Sequence, residues 1–301
     1  MCGIAGLFSK SLDVSESLGS HLGEMLLQLS DRGPDSAGVA FYRDPAPSGS
    51  SKVSLFSPDP EQDWDGVQAA LDEAFGAGQA EPRGSHAVIV VETDASEAQS
   101  WLRDRYPELR VMSAGQEIEI FKEAGPPPEF LESFGLANMS GSHALGHTRM
   151  ATESRVTTEH SHPFSTGLDL CLVHNGSLSN HNLLRRSLRR EGIPIQTQND
   201  SEVAAGYLTW RMREGDTLDQ ALERSLEDLD GFFTFAVGTA DGFAVLRDPI
   251  ACKPAVIAET DAWVAIASEY RALAVLPGAE EAEVWEPEPG RVYSWAHEVV
   301  A

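Results

Sequence analysis

The chain has 301 residues, 42% of them hydrophobic and 23% charged, which is enough for one large soluble domain or two modest ones. Its net charge of −25 argues against nonspecific binding to nucleic acid or to anionic membranes; because no apolar run could span a bilayer and no signal-peptide pattern opens the chain, we expect a cytoplasmic protein. The cysteines Cys2, Cys171 and Cys252 are widely separated and form neither a disulfide framework nor a CxxC metal pattern, and we expect the last two to be small buried side chains.

The chain opens on a short apolar strand, predicted at residues 3–8, with Cys2 at its free end. Removal of Met1 would give Cys2 a free α-amino group, whose reference pKa of roughly 7.7 to 8.0 allows it to act as a base for its own thiol. An N-terminal nucleophile of this kind attacks an acyl carbon and forms a covalent intermediate. Alternatively, Cys2 simply begins a buried strand, since free cysteines are often buried and inert.

A helix is predicted after this strand, followed by a turn and a second strand. The turn is the segment RGPDSAG at residues 32–38, and the strand follows at 39–43. Residues 44–60 are rich in Pro, Ser and Asp, which predicts an exposed linker. The helix is indicated by apolar residues that share one face at helical spacing, namely Leu18, Leu22, Met25, Leu26 and Leu29.

A small β-α-β-β insertion without catalytic signals is predicted at residues 57–122. Its parts are a buried strand at 86–92, a helix at 96–105 and a hairpin at 109–123. We expect this segment to interrupt a larger domain rather than to carry chemistry.

Polar motifs follow at the ends of predicted apolar strands, where side chains can leave the core and reach a site. Asn199 or Asp200 is predicted to cap a further helix, with Glu202 completing a capping box. The rest of the chain alternates strands and turns. The three motifs at strand ends are GHTRMAT at 146–152, HSHPF at 160–164 and HNG at 174–176.

Taken together, these motifs resemble those of the class II glutamine amidotransferases and occur in the order found in that family. The resemblance implies an α+β fold, the four-layer αββα sandwich of the N-terminal-nucleophile hydrolases, built from one domain at residues 2–301 with the small α/β insertion inside it. The motifs that carry the resemblance are MCGIAG at 1–6, RGPDSAG at 32–38, GHTRMAT at 146–152, HP at 162–163, HNG at 174–176 and DSE at 200–202.

The resemblance also implies a role for each residue of the site. Cys2 would attack the side-chain amide of L-glutamine to form a γ-glutamyl thioester, and Asn175 and Gly176 would form the oxyanion hole. Arg149 would bind the substrate α-carboxylate with its planar guanidinium, and Asp200 would bind the substrate ammonium group. The remaining residues that the resemblance places in the pocket or near the nucleophile are Thr152, His162 and Arg32.

Two positions depart from the family pattern. Met150 stands where the sugar-phosphate-directed relatives often carry an aromatic residue that covers the site, and Cys252 stands where many relatives have glycine. A metal site at His160 and His162 is an alternative interpretation, but two histidines without a third nearby ligand support it weakly. We therefore predict neither a metal nor a cofactor.

The sequence contains no P-loop and no segment for a sugar isomerase, phosphoribosyltransferase, ATP-dependent synthetase or FMN-binding synthase domain. We therefore expect a glutaminase that passes ammonia to synthase subunits on separate chains, FMN-dependent and glutamate synthase-like. In this respect the chain resembles the stand-alone amidotransferase subunit of N-methylglutamate synthase. Two alternatives stay open: an N-terminal-nucleophile amidohydrolase with a different amide substrate, and an inactive scaffold or regulatory subunit that keeps the fold for assembly.

Overall fold

The computed structural model describes residues 2–76, 78–151 and 155–297. Strands and helices both occur along the whole of this length. The strands are β1 (Gly3–Ser9), β2 (Ser36–Tyr42), β3 (Ser51–Phe56), β4 (Gln79–Arg83), β5 (His86–Val91), β6 (Arg110–Gly115), β7 (Ile118–Ala124), β8 (His143–Arg149), β9 (Cys171–Leu178), β10 (Gly231–Thr239), β11 (Gly242–Arg247), β12 (Val256–Glu259), β13 (Trp263–Ala267), β14 (Glu283–Trp285) and β15 (Val292–Ala296).

The helices lie between these strands. Within the described residues, none of them combines the length and the apolar character that crossing a membrane would need. The helices are α1 (Leu12–Glu16), α2 (Leu18–Gln28), α3 (Trp64–Phe75), α4 (Ala95–Arg105), α5 (Pro127–Ser133), α6 (His181–Arg190), α7 (Asp200–Arg213), α8 (Leu218–Asp228) and α9 (Tyr270–Leu273).

The strands form three antiparallel sheets. The main sheet has seven strands in the order β14-β12-β13-β1-β8-β2-β7. The second sheet has four strands in the order β15-β11-β10-β9, and a third sheet, here called the accessory sheet, has the order β4-β5-β3-β6. Strand β1 therefore lies inside the main sheet, between β13 and β8, with its first residue at the end of the sheet where β8 ends.

Alternation along the strands explains why the two larger sheets stack. Ile4 and Phe8 of β1 belong to a core shared with the second sheet, whereas Ala5 and Leu7 belong to a core shared with α2. On β10, Ala236 contributes to the core between the sheets. A strand that is apolar on both faces must be covered on both sides. The predicted four-layer αββα sandwich is confirmed.

The outer layers are helical, one on each sheet. The predicted apolar face of α2 packs on the main sheet, with Leu18, Leu22, Met25 and Leu26 buried. On the other side, α6, α7 and α8 pack on the second sheet. The N-terminal half of α7 is buried almost all round, so that its first residue is held firmly against the end of β9.

The accessory sheet has its own core with α3 and α4. Its central strand β3 comes from residues 44–60, so the prediction of an exposed linker over this whole segment is wrong. Val53 and Leu55 point into the accessory core, and both serines of the strand are buried with hydrogen-bonded hydroxyls. Ser51 Oγ donates to Thr93 O at 2.8 Å, and Ser54 Oγ accepts from Ile120 N at 3.2 Å. The high serine content concealed the strand because these hydroxyls find partners only in the folded chain.

The predicted hairpin at residues 109–123 is also wrong. Strands β6 and β7 do not pair with each other: β6 pairs with β3 in the accessory sheet and β7 with β2 in the main sheet. The turn between them is fixed by Asp169, whose carboxylate accepts hydrogen bonds from the backbone N–H groups of Gln116, Glu117 and Ile118 at 2.7, 2.9 and 3.1 Å. The separation of β6 from β7 thus depends on a side chain far away in the sequence, which the local sequence pattern does not reveal.

A buried ion pair joins the accessory sheet to the main sheet. Lys52 on β3 and Glu119 on β7 are 4% and 3% exposed, and Lys52 Nζ lies 2.7 Å from Glu119 Oε1. Lys52 Nζ also donates to Arg43 O at 2.8 Å, and Arg43 itself contacts the Glu119 carboxylate. The pair therefore fixes how the two sheets meet.

We predict that Glu119→Gln will lower the free energy of unfolding by about 3–5 kcal/mol, because it leaves the Lys52 ammonium buried without its counterion. The double variant Lys52→Met with Glu119→Leu is expected to lose much less, since neither charge then remains buried. Urea unfolding of the three proteins measures this difference. Equal losses in the single and double variants would contradict the pairing.

Candidate active site

The carbonyl group of Cys2 is held from both sheets. Arg32 Nε donates to Cys2 O at 3.1 Å, and Asn175 Nδ2, at the end of β9 in the second sheet, donates to the same oxygen at 3.2 Å. Arg32 is fixed in turn by an ion pair with Glu269. The thiol is partly exposed, and its Sγ lies 3.7 Å from Met150 O. The nucleophile predicted from the sequence therefore sits at an open strand end with its backbone immobilised.

The turn motif RGPDSAG at residues 32–38 brings β2 and the end of β8 into close contact. A Cβ on Gly33 would lie 2.2 Å from the carbonyl carbon of Thr148, and one on Gly38 would lie 2.0 Å from His162 O. Asp35 Oδ2 accepts a hydrogen bond from Ala151 N at 2.7 Å. These glycines are needed for space, and the motif positions the residues that follow β8.

The HNG motif lies at the end of β9, where Gly176 pairs with Phe233 of β10. A Cβ on Gly176 would lie 2.1 Å from Phe232 O, so no larger residue fits there without a shift of the backbone. Asn175 is 4% exposed and directs its amide toward Cys2. Close strand pairing thus presents this amide beside the thiol-bearing residue.

Helix α7 begins beside the same strand end. Asn199, one of the two predicted candidates, is its N-cap: Asn199 Oδ1 accepts from Ser201 N at 2.9 Å. The predicted capping box is wrong, because the Glu202 carboxylate instead accepts from Gln196 N and Thr197 N. Asp200 Oδ2 accepts from Leu178 N at 2.9 Å, which ties this carboxylate to the last residue of β9.

A cavity of about 790 Å³ opens where these elements meet. Arg149 Nη1 donates to Arg155 O at 3.1 Å, and burial lowers the pKa of Arg149 while the neighbouring Cys2, Asp35 and Asp200 oppose that shift. A thiol, a guanidinium and a carboxylate thus face one space. The sequence-predicted residues that line the cavity are Cys2, Arg149, His162, Asn175, Gly176 and Asp200.

The other predicted site residues are not among the described residues that line the cavity. Arg32 does not line the cavity and acts on it through Cys2 O. Thr152 lies outside the described residues, as does Met1, so the structure describes neither the predicted pocket threonine nor the state of the N-terminus.

Three buried histidines, His147, His162 and His174, lie at the cavity, and the last two also line it. The ring centres of His147 and His162 are 4.0 Å apart, and His147 Nε2 donates to His174 O at 3.2 Å. Burial lowers the pKa of all three, that of His147 to about 3. They are therefore neutral at pH 7, and neither ring nitrogen of His162 has a hydrogen-bond partner among the described residues.

A metal site at His160 and His162 would need further ligands beside these two histidines. Among the residues that the structure describes, no group of three or more His, Cys, Asp or Glu side chains is arranged to hold a metal ion. His160 Nδ1 is instead within 2.8 Å of Thr157 Oγ1, and His162 packs against His147.

Sequence reasoning assigned no role to two residues of the C-terminal part of the chain that line the cavity. Lys253 and Phe232 line the cavity, with Lys253 Nζ 5.1 Å from the centre of the Phe232 ring. The Lys253-Pro254 motif was a usable signal for this position. Met150 also lines the cavity, and Cys252 is exposed rather than buried because it lies on the loop between β11 and β12.

Two stacked sheets between helical layers, with a cysteine at the free end of a central strand and a polar cavity beside it, form the fold of the N-terminal-nucleophile hydrolases. A family model described as "Glutamine amidotransferase domain" matches residues 147–275. The glutamine amidotransferase-like protein GlxB of Rhizobium meliloti is 53% identical over 302 residues, covering all of both chains. A putative glutamine amidotransferase of Methanothermobacter thermautotrophicus is 32% identical, over 97% of this chain and 99% of its own.

Among solved structures, the fold matches glutamine phosphoribosylpyrophosphate amidotransferase from B. subtilis with a TM-score of 0.62 at 22% identity. That match covers 99% of this chain but only 48% of the larger protein, so the chain spans about half of its length. The chain belongs to the class II glutamine amidotransferase family of enzymes, as the motifs predicted.

Proposed function

We propose that this chain hydrolyses L-glutamine to glutamate and ammonia through a thioester on Cys2, and that the ammonia is passed to a synthase on separate chains. The observation that carries the proposal is the shared cavity, in which a nucleophile, an amide donor, a cation and an anion surround one space. Each of these groups matches one part of glutamine.

The covalent step uses Cys2 alone. Its Sγ attacks the side-chain amide carbon of glutamine, and the thiol proton passes to the α-amine that Met1 removal creates. Collapse of the tetrahedral intermediate breaks the C–N bond, and the proton leaves with ammonia. Water then attacks the γ-glutamyl thioester and releases glutamate. The neutral histidines at the cavity are not needed as the base.

Asn175 and Gly176 are proposed to stabilise the oxyanion. The Asn175 amide is already directed at Cys2, and the Gly176 backbone lies next to it on the same strand end. Loss of one such donor in other acyl-transfer enzymes costs about 2.7–4 kcal/mol in the transition state.

Arg149 and Asp200 are proposed to bind the two ends of the amino-acid head group. A guanidinium can hold both oxygens of the α-carboxylate, and a carboxylate beside it can accept the ammonium group. Asp200 has one oxygen engaged by Leu178 N, which orients the other toward the side of the cavity near His174. Thr152 and His162 are proposed as further pocket residues, and Arg32 as the group that holds Cys2.

The acceptor is proposed to lie on partner chains that resemble FMN-dependent, glutamate synthase-like subunits such as those of N-methylglutamate synthase. The described residues are accounted for by the sandwich and the accessory sheet, which we regard as an insertion with its own core. Under this proposal, ammonia made in the cavity is consumed on another polypeptide.

We predict that Cys2→Ala will abolish glutamine hydrolysis, whereas Asn175→Ala will lower kcat by about 10²–10³-fold. Ammonia release measures both effects. Intact-mass spectrometry should show Met1 absent in the wild type and a glutamyl adduct on Cys2 after rapid acid quench. Full activity of the Cys2→Ala protein would exclude the mechanism.

We predict that Asp200→Asn will raise KM for glutamine, with a loss in kcat/KM of roughly 10- to 100-fold, since one charged hydrogen bond to the substrate ammonium is removed. The matched substrate is glutaramate, which is glutamine without its α-amino group. The wild type should strongly prefer glutamine to glutaramate, and the variant should lose most of that preference. An unchanged preference would show that Asp200 does not bind the ammonium group.

We predict that the wild-type chain, purified by affinity from its native host, will carry a flavin-containing synthase in fixed stoichiometry. Mass spectrometry identifies the associated chains, and the flavin spectrum reports the cofactor. Purification of the chain alone, with full glutaminase activity and no associated synthase, would count against a dedicated partner.

A further inference from the structure

One lysine is buried in the main sheet without a carboxylate partner among the described residues. Lys122 on β7 is 3% exposed, and its Nζ donates to Ser161 O at 2.8 Å and to Pro163 O at 3.1 Å, with Glu159 O at 3.5 Å. Nζ also lies 4.5 Å from the centre of the Phe164 ring. Because burying an ammonium group without a counterion is costly, this arrangement is poorly explained by stability alone.

The carbonyls that Lys122 holds belong to the segment that carries two pocket histidines. Residues 159, 161 and 163 turn their carbonyls to Nζ, and the intervening His160 and His162 line the active-site cavity. Gly38 on β2 is paired directly with Lys122 and lets the backbone of this segment approach the sheet, since a Cβ there would lie 2.0 Å from His162 O. The segment therefore packs on one face of the main sheet, against Gly38 and held by the Lys122 side chain.

A second charged group holds the neighbouring wall. Lys122 and Glu202 line the same small cavity, and Glu202 fixes the backbone N–H groups of residues 196 and 197 just before α7. Burial lowers the pKa of Lys122 to about 7, and the charges of Glu202 and Glu159 oppose this shift. Asn199 Nδ2 donates to His160 O at 3.3 Å, which links the two walls directly.

We propose that Lys122 is a positioning residue: by holding the carbonyls of residues 159, 161 and 163, it sets the wall of the substrate cavity formed by His160 and His162. It acts through this segment and does not touch the substrate. The kinetic part of this inference rests on the proposed glutamine hydrolysis, whereas the placement of the wall does not.

The test compares two buried lysines. Lys122→Met removes the donor at the pocket wall, while Lys52→Met removes the buried lysine that pairs with Glu119 away from the cavity. With both proteins shown to be folded by circular dichroism, Lys122→Met is expected to lower kcat/KM for glutamine on the order of 10- to 100-fold, chiefly through KM. Lys52→Met is expected to keep kcat and KM within about twofold of the wild-type values, although its free energy of unfolding is lower.

A second readout does not depend on hydrolysis. In a Cys2→Ala background, the ¹⁵N NMR signals of the His160 and His162 imidazoles are expected to shift in Lys122→Met and to stay in place in Lys52→Met. Unchanged signals in both variants would overturn the proposal, as would equal kinetic losses. Absence of glutaminase activity in the wild type would refute the proposed function, with the NMR comparison still deciding the role of Lys122. If Lys122→Met does not fold, Lys122→Gln is measured by the same criteria.

Discussion

The structure of the site depends on one constraint: the carbonyl of Cys2 must be reached at once by a donor from the main-sheet side and a donor from the second sheet. Arg32 approaches from the turn that follows α2, and Asn175 approaches from the end of β9. Neither sheet alone brings the two groups together. The stacking of the sheets, driven by burial of the apolar residues between them, is therefore what turns a strand end into a candidate active site.

Close backbone approach is the second requirement, and it explains residues that carry no chemistry. Gly33 and Gly38 have no room for a side chain because the backbones of β8 and of the segment around His162 press against them. Glu269, in the Ser-Glu pair after β13, balances Arg32, and Ser268 accepts from Ile4 N at 2.9 Å. Motifs that are distant in sequence thus position the residues around the N-terminal end of β1.

The sandwich and most of the cavity-lining residues were predicted from the resemblance of the motifs to a known family. Local pattern predicted single elements such as β1 and α2, but not how the sheets stack. The grouping of Cys2, Arg149 and Asp200 could be inferred only by resemblance, since each lies on a different element. Strand β3 and the separation of β6 from β7 could not be predicted, because they depend on buried serine hydroxyls and on Asp169, whose partners are long-range.

The two halves of the cavity have different supports. Cys2 directly precedes β1 and Arg149 ends β8 in the main sheet. Asn175 and Gly176 lie on β9, and the bond from Leu178 N ties this strand to Asp200 at the start of α7. Under the proposed function, glutamine would span this division, with its carboxylate on one sheet and its ammonium on the other. The spacing between the anchors is then a spacing between sheets, set by the packing of the inner core. Lys122 and Glu202 would act at the same level, holding backbone segments on either side of the division without contacting the substrate.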